Sequence, residues 1–66
     1  MNGLHAGGYQ SALKAAEEQF QVDMAHLKVA LVRAGSTEAE EAIVQQMRER
    51  EAKQRDLLAS LQRSLF

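Results

Sequence analysis

Chemistry at a protein site needs convergent groups, and this chain has few of them. Its only imidazoles are His5 and His26. His26 stands one helical turn after Asp23, a spacing that offers one nitrogen and one carboxylate to a cation. Zinc asks for about four ligands, and no second pair follows. A surface histidine is the expectation. With no cysteine, neither a thiolate site nor a disulfide can form. Ser11, Ser36, Ser60 and Ser64 have no histidine spaced to accept a proton from them. The stretch HAGGYQS is glycine-rich ahead of a helical pattern, but it lacks the lysine and the preceding strand of a phosphate loop. Arg48, Arg50, Lys53, Arg55 and Arg63 are diluted by Glu49, Glu51 and Asp56, which describes a solvated face better than a stripe tracking phosphates. The expectation is a protein that is not an enzyme and has no cofactor and no metal.

Composition narrows the class further. Sixty-six residues make one small domain, and a core of that size seldom suffices without a staple or a partner. Net charge is −1 with both signs interspersed, so no strong field invites nucleic acid or a membrane surface. The longest uninterrupted apolar run is Val29, Ala30, Leu31 and Val32, far short of the roughly 20 residues of a membrane span. No basic stretch leads into an apolar run at the start, so no signal peptide is expected. A cytoplasmic location follows as the default.

The elements that must position any site are punctuated by glycine, since proline is absent. Three of the four glycines fall within residues 1–8, which are expected to form a flexible leader. The domain proper is residues 9–66. It is expected to be all-α, an antiparallel, coiled-coil-like hairpin with helices at about 9–34 and 38–65. In the first segment Tyr9, Leu13, Ala16, Phe20, Met24, Leu27, Leu31 and Ala34 recur every three or four residues and share one stripe. In the second, Ala39, Ile43, Met47, Leu57, Leu58, Leu61 and Leu65 do the same. Between them Gly35 is placed to close the first helix in a left-handed conformation. Thr37 with Glu40 matches a capping box, with Ser36 as a competing cap. Glu49 with Lys53 and Glu51 with Arg55 are spaced as i,i+4 ion pairs.

Folding about Gly35 and Ser36 brings together residues whose numbers sum to about 71. The expected seam holds Leu13, Phe20, Met24, Leu27, Leu31, Ile43, Met47, Leu57 and Leu61. Arg50 falls opposite Phe20 and Gln54 opposite Ala16. Arg50 could lie over the Phe20 ring and direct its charge toward Glu17 or Asp23. These two polar residues either snorkel from a thin seam or fix its register.

Val22, Ala25, Val29 and Val32 lie on the other side of the first helix, where the hairpin cannot cover them. The second helix has no matching outer stripe. These four are the expected partner-binding residues, laid into a groove of another helical protein. The alternatives are a homodimer, with two hairpins joined as a four-helix bundle through the same valines, and an RNA-binding hairpin using the arginines of the second helix.

The stretch VRAGSTEAEEAIVQQMREREAKQRDLLASLQRSL resembles the small E-type co-chaperones of bacterial type III secretion needle assembly. In that family an Arg-Gly turn precedes an acidic helix start, a Gln-rich stretch and an apolar tail. Here these are Arg33 with Gly35, Glu38 to Glu41, Gln45 with Gln46, and Leu57 to Leu65. The chain departs from the pattern in carrying Ala42, Ile43 and Val44 where the family often has an aromatic. The resemblance implies a cytoplasmic protein that docks on a tetratricopeptide-like helical chaperone. Together the pair would keep a secreted needle subunit from polymerising.

Overall fold

The structure, a computed structural model, describes the backbone of residues 3–65 and the side chains of residues 8–64. It is all-α. Two helices, α1 (Gly3–Arg33) and α2 (Thr37–Leu65), fold back on one another as a helical hairpin. Alanine, leucine, glutamine, glutamate, lysine and arginine dominate both segments. These residues lose the least rotamer freedom in a helix, and no proline interrupts them.

α1 begins six residues ahead of the expected start. Glycine costs a helix only about 1 kcal/mol relative to alanine, and nothing among residues 3–8 supplies a competing turn. Residues 1 and 2 of the expected leader, and the side chain of His5, lie outside the described residues.

The turn occupies residues 34–36 and differs from expectation in two respects. Gly35 has no positive φ, so the helix does not close through a left-handed residue. Instead the Ala34 N–H donates to the Leu31 carbonyl at 3.2 Å, tightening the last turn into 3₁₀ form and satisfying one of its orphan acceptors. The cap of α2 is Ser36, whose Oγ accepts from the Ala39 N–H at 3.1 Å. Its carbonyl takes the first helical bond from Glu40 at 3.0 Å. With Ser36 as cap the third helical residue is Ala39, so the reciprocal carboxylate of a capping box is missing. Glu38 and Glu40 occupy the first turn of α2, and Arg33 and Arg63 the last turns of α1 and α2, each sign facing the dipole it favours.

The seam is thin. Ala16 and Met24 are the only buried apolar side chains among the described residues, at 9% and 8% exposure. Leu13, Phe20, Leu27, Leu31, Ile43, Met47, Leu58 and Leu61 are half-buried. Leu57 is not part of the seam: it is 40% exposed. Adjacent helical residues point about 100° apart, so only one of the Leu57–Leu58 pair can face α1, and Leu58 takes the place. Nor do the i,i+4 pairs of α2 close. Arg50–Asp23 is the single ion pair among the described residues, and Glu49 instead accepts from the Gln45 side chain at 3.3 Å.

Two helices laid side by side cover one face each, and the dimensions show it. The molecule measures 52 × 17 × 9 Å, with a radius of gyration of 15.6 Å. A compact chain of this length would have about 11 Å. Its accessible surface is 5269 Å², against about 4,200 Å² for a compact monomer of the same mass.

Candidate functional site

Midway along the seam the apolar stripe gives way to polar side chains, and these link the helices. Arg50 reaches across from α2 and its Nε donates to Asp23 Oδ2 at 2.7 Å. Its guanidinium carbon stands 5.2 Å from the centre of the Phe20 ring, within cation–π range. Its Nη1 donates to Gln54 Oε1 at 3.2 Å. Gln54, only 6% exposed, passes the connection on, its Nε2 donating to the Ala16 carbonyl at 3.2 Å. No described buried side-chain nitrogen or oxygen is left without a partner. Of the two roles open to these residues, the bonds match the register-fixing one: a slip of either helix by one residue would break the bonds to Asp23 and to Ala16 together.

This bridge settles what Asp23 does. Its second oxygen, Oδ1, accepts from the Gln19 amide at 2.8 Å. The Arg50 hydrogen bond, then that of Gln19, hold the carboxyl below its ordinary value of 3.8. Burial pushes the other way, and the charges of Arg50 and His26 add smaller lowering contributions. Both oxygens are thus committed within the hairpin. His26 is exposed beside them, in a shallow groove with Leu27, Gln46, Glu49 and Lys53. No three His, Asp or Glu side chains converge on a cation position among the described residues.

The outer face of α1 is the second feature. Val22 is 48%, Val29 49% and Val32 85% exposed, and Ala25 beside them is exposed as well. At about 100° per residue these four centre opposite the Ala16–Met24–Leu27 stripe, so no rotation of α1 could bury both faces against α2. Val29 and Val32 floor a shallow depression bounded by Lys28 and Arg33. On α2 the outward positions Gln45, Arg48, Glu49, Arg55, Asp56 and Arg63 are polar and exposed, and the apolar residues among them, Ala52 and Ala59, are small and half-buried.

The fold and this face define a class, a helical hairpin with a register-fixed seam and one uncovered apolar stripe. Compared with protein-family models, with curated proteins and with solved structures, the chain matches none. Among the described residues, no helix is long and apolar enough to cross a membrane.

Proposed function

We propose that the chain is a non-enzymatic protein-binding module that offers the outer face of α1 to a helix of another protein. One observation carries this: Val22, Ala25, Val29 and Val32 stand exposed together on the side of α1 that α2 cannot reach. Three valines and an alanine amount to about 300 Å² of apolar surface, worth roughly 7 kcal/mol gross if fully covered. Association costs offset much of that figure. Valine loses little side-chain entropy on burial and alanine permits close approach, so the stripe suits helix-on-helix docking.

The finer reading follows from the resemblance of about residues 12–65 to the type III secretion co-chaperones. On that reading the partner is a tetratricopeptide-like chaperone, the cargo a needle subunit kept unpolymerised, and the location cytoplasmic. Val29→Asp tests the docking face. Co-purification with the partner from the native host should be lost, while the isolated variant keeps its helical circular dichroism and melts within about 0.5 kcal/mol of wild type, as surface substitutions do. Helicity and binding lost in parallel would place Val29 in the hairpin's own packing. The finer reading is tested by co-expressing the chain, the chaperone and the needle subunit and following polymerisation by light scattering. Fibres forming at the same rate with and without this chain would discard it.

A further inference from the structure

We propose that the valine face takes one kind of occupant: an amphipathic partner helix whose apolar seam is flanked by Asp and Glu, and not a second copy of this chain. The inference rests on the docking reading above and adds the partner's chemistry to it.

The spacing of the stripe calls for a helix. Val22, Ala25, Val29 and Val32 are separated by three, four and three residues, the a/d alternation of a heptad. The inner seam interrupts that alternation with two successive steps of four, at Phe20 and Met24. A strict 3,4 stripe keeps facing a neighbouring helix that crosses at about 20° with a left-handed supercoil. Extended backwards, the same register places the exposed Glu18 and then Ala15 in the stripe. Glu18 ends the apolar surface, so the footprint runs about 15 Å along α1 from Val22 to Val32.

The flanks say which helix. In this register the positions bordering the stripe are Lys14, Gln19, Gln21, His26, Lys28 and Arg33, with no carboxylate among them. Lys28 and Arg33 wall the depression floored by Val29 and Val32. Neither has an ion-pair partner among the described residues, where Asp23 is taken by Arg50. Flanking charges of this kind set partner choice in packed helices. A second copy fails the same test. Paired about a two-fold axis, in parallel or antiparallel, the positions bordering the Val22–Val32 footprint would set cations, amides and an imidazole against one another, the register's one carboxylate, Glu18, lying beyond that footprint. The acidic hollow of α2, around Glu40 and Glu41, holds one apolar side chain, Val44, too little to cover four stripe positions.

Two synthetic helical peptides of four heptads test this. They share the same valine and leucine seam and differ only in carrying Glu or Lys at every flanking position. Each is titrated against the full chain at low ionic strength by fluorescence anisotropy. The Glu peptide should bind at least about tenfold more tightly, since it pairs favourably with Lys28 and Arg33 where the Lys peptide sets like charges against them. That preference should shrink in 0.5 M salt, and Lys28→Glu combined with Arg33→Glu should turn it toward the Lys peptide. Equal affinity for the two peptides overturns the charge assignment while leaving the docking face standing. Failure to bind either, or binding indifferent to Val29→Asp, overturns both. A dimer in sedimentation that Val29→Asp dissolves would show the occupant to be a second copy, and would overturn the inference as well.

Discussion

At the scale of single residues, the central bridge shows how polar groups can sit in a seam this thin without weakening it. A buried amide with an unmet hydrogen bond costs about 1–3 kcal/mol. Gln54 avoids that by bonding at both ends, to Arg50 and to the Ala16 carbonyl. The places of Arg50 and Gln54 opposite Phe20 and Ala16 were legible in the sequence, because the turn fixes the register and the helical period carries it along the chain. The bonds were not, since spacing alone cannot choose between Glu17 and Asp23 as the acceptor of Arg50. Asp23 provides a pH test of the bridge. Its folded carboxyl is held below its ordinary value of 3.8, so its contribution is present above that value. It is lost as pH falls through the lower folded value. Asp23→Asn should therefore lower the thermal midpoint at neutral pH, and the gap between wild type and variant should close on acidification below 3.8. A gap independent of pH, followed by circular dichroism melts across the range, would assign the loss to packing instead of charge.

At the scale of elements, the helices and their order were readable, and the residues at their ends were not. Ser36 and Thr37 are adjacent residues of the capping class, and shifting the cap by one residue changes which side chain faces the third helical residue. The structure places Ser36 there, bonded to Ala39. Ser36→Ala should cost about 1 kcal/mol in urea denaturation, whereas Thr37→Ala should be nearly neutral. The reverse order would restore the Thr37–Glu40 box. Gly35 was misread for a related reason: glycine accepts either sign of φ, so its presence after a helix does not reveal which it adopts. Without a positive φ, and with nothing within 4 Å of an added Cβ, the position accepts a side chain freely. Gly35→Ala should raise stability by about 0.4–1 kcal/mol through the unfolded chain's lost freedom. A left-handed cap would be damaged by the same change, so the sign of the shift in thermal midpoint decides between the two.

At the scale of the whole molecule, one face of α1 packs on α2 while the other packs on nothing, and the hairpin spreads what core it has along 52 Å. The exposed valines could be found in the sequence because two stripes half a turn apart cannot both face a single neighbour. The size of the core could not, because period assigns a direction to each side chain and says nothing of how far the opposite helix covers it. The three most buried of the described residues, Ala16, Met24 and Gln54, cluster near the middle of the two helices, beside the bridge from Arg50 to Asp23. Local stability should follow them, since opening free energy tracks buried contacts and shielded hydrogen bonds. Amide hydrogen exchange of the isolated chain should then be slowest around residues 20–28 and 50–58, whose N–H groups bond into the buried turns, and should quicken toward the free ends and the turn alike. Protection greatest beside Gly35 and Ser36 would mean that the turn, not the central bridge, holds the two helices together. Docking of a partner helix along Val22 to Val32 should carry the protected zone of α1 toward the turn, since anything that binds only the folded state raises the cost of opening it.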